Sequence, residues 1–117
     1  MKAVLIVSHG SHSPKTKQEV VMLLQTLKKK AKADIYEYAF LEIEKPSIPE
    51  GIEKCVIAGG TEIIVLLNFL NSGKHVDTDI PEIVRQAQLR YPKIKFRMTS
   101  PVGQHPRIVD LFAEMIT

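Results

Sequence analysis

The segment LNSGKHVDTDIP, residues 70–81, hangs one imidazole, His75, on a polar stretch between an apolar run and a helical pattern. The other three histidines, His9, His12 and His105, also lie in short polar segments, Ser8–Ser13 and Ser100–Pro106, and a further segment, Glu42–Pro49, brings Glu42 and Glu44. Imidazole is the commonest protein ligand for divalent transition metals, and in its neutral form it takes up a proton near neutral pH. Two histidines with carboxylates nearby would make an incomplete, open metal site, which suits a labile ion better than a sealed structural one. A loop histidine serves equally well as a hydrogen-bonding surface residue, and His12 and His105 are read that way. Gly10 and Gly73 suit turns with or without a ligand. Asp77 and Asp79 read as capping and first-turn residues of the helix that follows.

Positioning these groups falls to alternating strands and helices. Ala3 to Val7 is a continuous apolar run, the pattern of a strand covered on both faces. Val20, Leu24, Leu27 and Ala31 then recur at helical spacing, with Pro14 where a first turn tolerates it. Asp34 to Leu41 reads as a second strand. Ile48, Ile52, Cys55 and Val56 share one helical face, which makes Cys55 a small core residue. EIIVLLNFL (62–70) gives a third strand, and Ile80, Ile83, Val84 and Ala87 a third helix with Asp79 and Pro81 near its start. KIKFRMT (93–99) alternates as a fourth strand, and Ile108, Leu111, Phe112 and Met115 form the last helical stripe. Four βα units predict an α/β fold: one three-layer domain over residues 1–117, a four-stranded parallel sheet with right-handed crossovers and helices on both faces. In such open sheets the loops leaving the carboxyl ends of the strands share one edge, and ligands collect there. All four histidines fall in those loops. If the first and third strands are neighbours, His9 and His75 face one another.

Composition narrows the function. With 117 residues, 44% of them hydrophobic, the chain suits one ordinary globular core. Sixteen Lys and Arg against thirteen Asp and Glu leave a net charge of +3, compatible with an anionic ligand but short of a nucleic-acid-binding signature. The densest basic run, Lys28 to Lys32, reads as the solvated end of a helix. A lone Cys55 excludes an internal disulfide, MKAVLIVSHG is too short an apolar stretch for a signal peptide, and no window approaches the roughly 18 apolar residues of a membrane span. A cytoplasmic protein with no membrane and no nucleic-acid partner is expected. No nucleotide-binding glycine pattern is visible, so no organic cofactor and no ATP are expected.

The set LIVSHGSHSP, AFLEIEKPSI, FLNSGKHVDTDIPEIV and PVGQHP, in this order and spacing, closely resembles the small form of the sirohydrochlorin chelatases. This is the cobaltochelatase and nickelochelatase family of cobalamin and nickel-tetrapyrrole synthesis, related to the sirohydrochlorin ferrochelatases of siroheme synthesis. The likeness spans nearly the whole chain, and GKHVDTDIP is its most distinctive part. It implies a chelatase-type α/β sandwich that inserts a divalent ion (Co2+ favoured, Ni2+ or Fe2+ alternatives) into sirohydrochlorin. Short members of the family pair as homodimers, so a homodimer is implied here. By motif position, His9 is implied as metal ligand and proton acceptor, and His75 as the second metal ligand. Leu70, Asn71, Ser72, Gly73 and Lys74 would line the tetrapyrrole, as would Ser8, Gly10 and Ser11 beside His9. A further substrate contact would be Glu44, with Glu42 the other candidate. Lys15, Lys17 and Lys74 are plausible counter-charges for the ring's carboxylates. The chain departs from many relatives in its polar Asn71, Ser72 and Lys74, and in Asn68, which stands where a proline is expected.

Two other readings stay open. SHG is compatible with a phosphohistidine nucleophile. Histidine phosphatases, however, place an arginine directly before that histidine to clamp phosphate, and here the residue is Ser8. The second is a flavodoxin-like module that carries a tetrapyrrole or cofactor without catalysis.

Overall fold

The computed structural model describes all residues, 1–117. Four strands, β1 (Lys2–Ser8), β2 (Ile35–Phe40), β3 (Glu62–Leu67) and β4 (Lys95–Met98), alternate with four helices, α1 (Pro14–Lys30), α2 (Ile48–Ile57), α3 (Ile80–Arg90) and α4 (Ile108–Ile116). The strands pair in the order β2-β1-β3-β4, every pair parallel. The expected βα alternation is present, and β1 and β3 are indeed neighbours, with Val7 opposite Leu67 at their carboxyl ends.

Alternation along β1 explains why its apolar run is continuous. Ala3, Leu5 and Val7 enter the larger core cluster with Ile48, Ile52 and Cys55 of α2, while Ile6 enters a smaller cluster with Val20 and Leu24 of α1 and Phe40 of β2. The strand is thus covered on both faces, and its pleat sends successive side chains to opposite helices. Helix α2 is started by a reciprocal cap: the Ser47 side chain accepts from the Glu50 N–H, and the Glu50 carboxylate accepts from the Ser47 N–H. The Ser47 contacts hold the Glu50 carboxyl below the usual carboxylate range. Cys55 is fully buried, as its place in the apolar stripe predicts, and desolvation, with the charge of Glu37 second, pushes its thiol up to about 12.

Two elements differ from their expected form. A π-helical turn, His75–Asp79, precedes α3, so the segment read as a polar loop is wound, and the Asp79 side chain makes no cap hydrogen bond. Helix α4 carries the expected apolar stripe, yet none of its residues is buried; Phe112 and Met115 are exposed. The pattern correctly marks a face that prefers apolar cover, but no other part of this chain supplies it. No helix is long and apolar enough to cross a membrane.

Candidate metal site

Three loops leaving the carboxyl ends of adjacent strands β2, β1 and β3 build the site. The β1 loop begins at Ser8, which is buried and accepts a hydrogen bond at its Oγ from Asn68 Nδ2 at 3.0 Å, tying the ends of β1 and β3 together. Asn68 thereby takes a definite role at the position where a proline was expected. His9 follows, exposed at the carboxyl edge of the sheet. Gly10 adopts a φ of 101°, and a Cβ there would run into the Glu42 carbonyl. Only glycine lets the β1 and β2 loops press together in this way.

The β2 loop is stitched to that backbone. Leu41 N–H donates to the Ser8 carbonyl at 2.9 Å, Glu42 N–H to the His9 carbonyl at 3.1 Å, and Ser11 N–H to the Glu44 carboxylate at 2.8 Å. Phe40 N–H donates to the Pro46 carbonyl, which closes the loop at its base. Between the two glutamates Ile43 sits in the left-handed region, at φ 71°, a strained conformation for a β-branched residue. That reversal sends the two carboxylates to different places. Glu42 turns to the histidines, while Glu44 braces Ser11.

The donors converge. His9 Nε2 lies 2.8 Å from Glu42 Oε1, His75 Nε2 lies 4.0 Å from the same oxygen, and the two rings stand 5.3 Å apart between centroids. One ligand atom from each of His9, Glu42 and His75 falls within 4.8 Å of the others, a set able to hold a metal ion. Each side chain keeps nearly half of its surface exposed (46%, 50% and 46%), so an ion held there would retain open coordination positions.

Hydrogen bonding at the far ring nitrogens differs between the two imidazoles. His9 Nδ1 faces the Gly10 carbonyl at 3.1 Å, whereas His75 Nδ1 faces Asp79 Oδ2 at 2.9 Å. A carbonyl and a carboxylate only accept, so Nδ1 is the donor in both rings. His9 Nε2 is engaged by Glu42 Oε1 at 2.8 Å. His75 Nε2 has no such contact and is the freer lone pair.

Leu70, Asn71, Ser72, Gly73 and Lys74 are exposed and lead directly into His75, with Leu70 backed by the 100–106 loop: Gln104 Nε2 donates to its carbonyl, and a Cβ on Gly103 would strike its backbone. His12 is exposed, and His105 Nδ1 accepts from the Arg107 N–H; neither belongs to the donor group. Lys17 lies over the Tyr38 ring, and Lys15 is exposed.

Over residues 3–117 the sequence matches the family model described as CbiX. The chain belongs to the CbiX family. A sirohydrochlorin ferrochelatase of Priestia megaterium is 35% identical over 116 residues, which are 99% of this chain and 44% of that one. A sirohydrochlorin cobaltochelatase of Sulfolobus acidocaldarius is 32% identical over 97% of this chain and 89% of its own length. The crystal structure of the sirohydrochlorin chelatase SirB from Bacillus subtilis subspecies spizizenii, in complex with cobalt, matches with a TM-score of 0.89 at 35% identity, covering 98% of this chain and 49% of that one. This CbiX chain therefore spans about half the length of some relatives and most of the length of others. Its fold is the chelatase α/β fold that the sequence predicted.

Two residues of the CbiX site were not legible in their present places. Glu42, expected only as the alternative to Glu44 for a substrate contact, joins the donor group, and the left-handed residue Ile43 separates it from Glu44. Asp79, read as a helix-start residue, instead holds His75. Its spacing of four residues from His75 was the available signal.

Proposed function

We propose that this chain inserts a divalent metal ion into sirohydrochlorin without ATP, with cobalt the favoured ion and nickel and iron the alternatives. The observation that carries the reading is the donor group itself: two imidazoles and one carboxylate, from three separate loops, converging at the exposed carboxyl edge of the sheet. The names of the CbiX relatives supply the substrate. Insertion requires removing water from the ion, presenting it to the ring face, and taking two pyrrole protons as metal–nitrogen bonds replace N–H bonds. Nitrogen and oxygen donors from His9, His75 and Glu42 hold a borderline-soft cation while leaving positions free for ring nitrogens. As the ring takes the ion, Glu42 and His9 become free to receive released protons, which suits an imidazole near neutral pH. In this reading the ring lies against the exposed Leu70 to Lys74 and beside Gly10 and Ser11, with Glu44 bracing Ser11, while Ser8, expected as a contact, is buried and acts through its bond to Asn68.

Residues 1–117 act in this reading as one chelatase domain in the cytoplasm, paired with a second copy. Pairing is supported by the uncovered apolar face of α4 and by relatives that carry about twice this length in one polypeptide.

Mixing the protein with sirohydrochlorin and Co2+ while following the visible spectrum tests the reaction. Accelerated insertion in the wild type, lost in His9→Ala and His75→Ala, is the expected result. Ring binding without acceleration would instead identify a carrier, and phosphate release from a monoester would identify a phosphatase.

A further inference from the structure

The two imidazoles are held differently, and the difference assigns a role to a residue outside the donor group. We propose that Asp79 is a positioning residue: through its 2.9 Å contact with His75 Nδ1 it fixes that ring as the Nδ1–H tautomer, making His75 Nε2 the permanent docking point for the metal ion. The inference rests on the metal-handling reading of the site. Carboxylates that accept the far N–H of a ligating histidine set its tautomer and orientation and raise its basicity. Asp79 has the geometry for this, and nothing else in the structure claims its carboxylate: it makes no helix cap, and its half-buried side chain is aimed at His75.

The backbone explains how the pair is delivered. His75–Asp79 is one π-helical turn, closed by the Ile80 N–H donating to the His75 carbonyl and preceded by the Asp77 N–H donating to the Gly73 carbonyl at 2.7 Å. Such turns carry one residue more than an α-helical turn, are rare, and occur frequently at functional sites. The turn is anchored from within, since Val76 and Ile80 are both buried in the main core. His75 is therefore fixed at two levels, by a packed turn and by a carboxylate.

His9 contrasts at each point. Its Nδ1 meets a neutral backbone carbonyl, and its Nε2 is engaged by Glu42 Oε1 at 2.8 Å. The site is thus asymmetric. His75 with Asp79 forms the fixed arm that captures the cation, and His9 with Glu42 completes the donor group from the neighbouring loops.

The test uses the full chain and Co2+ alone, with the visible cobalt absorption reporting affinity, alongside ring-nitrogen NMR of the metal-free protein. Asp79→Asn is expected to weaken Co2+ binding about 10- to 100-fold, the usual effect of removing such a support, with Asp79→Glu recovering part of it. In wild type the His75 nitrogens should show the Nδ1–H tautomer, and in Asp79→Asn a mixture. In a His75→Ala background, Asp79→Asn should have no further effect on Co2+ affinity, an outcome that a general loss of structure would not give. In steady state the KM for metal should rise while that for sirohydrochlorin stays within about twofold. Wild-type Co2+ affinity in Asp79→Asn, or a His75 tautomer indifferent to Asp79, would overturn the inference while leaving the insertion reading intact. A wild-type protein that binds Co2+ but does not accelerate insertion would overturn only that reading.

Discussion

At the scale of single residues, two glutamates two positions apart have different tasks. Glu42 shares its carboxylate with both histidines, while that of Glu44 accepts the Ser11 N–H. Glu42→Gln keeps the shape and removes the charge, so it is expected to weaken Co2+ binding by at least the roughly 10- to 100-fold that disturbing a ligand's support costs. Glu44→Gln retains an acceptor for Ser11 and should change Co2+ affinity by less than about threefold, while costing about 1 kcal/mol of stability because a charged acceptor becomes neutral. Cobalt titration and urea denaturation of the two variants separate the roles. An equal loss of metal affinity in both would contradict the assignment. The histidines were legible in the sequence because polar loops beyond apolar strands must share the carboxyl edge. The glutamates were not, since the alternation that assigns faces in a strand has no meaning across a residue at positive φ such as Ile43.

Elements transmit these demands to the backbone. The β1 and β2 loops touch at Gly10, where a side chain would meet the Glu42 carbonyl and where φ is left-handed. Gly10→Ala should therefore cost about 1–3 kcal/mol in urea denaturation, and its loss of Co2+ affinity should be comparable to that of Glu42→Gln, because the loop holding Glu42 must move aside. Stability and affinity both at wild-type level would show that the contact between loops is dispensable. Strands β1 and β3 were readable from the order of residues, since they are covered on both faces and show as apolar runs, residues 3–7 and 63–67. The wound turn at His75–Asp79 was not. Four of its five residues are polar, and what anchors it, the burial of Val76 and Ile80, depends on tertiary packing.

For the whole molecule, the periodic stripe of α4 foretold an apolar face but not its partner. Val109, Leu111, Phe112, Met115 and Ile116 are all exposed, and large exposed apolar patches mark interaction sites. With a second copy as the occupant, sedimentation should show a dimer, and Phe112→Asp should shift it toward monomer with the Co2+ affinity of the donor group retained, since α4 supplies none of its ligands. A monomeric wild type would refute the pairing.

The sheet order has a last consequence. Neighbouring parallel strands lie about 4.8 Å apart, so β2 and β3, on either side of β1, are about twice that apart, yet Glu42, His9 and His75 on the loops that follow bring their ligand atoms within 4.8 Å of one another. The scaffold thus supplies three neighbouring loops and leaves the reach and identity of each side chain to set the donor group. A preference for a different ion is then open to drift by exchange of one side chain at a time on the rim, with the hydrophobic interior beneath left untouched.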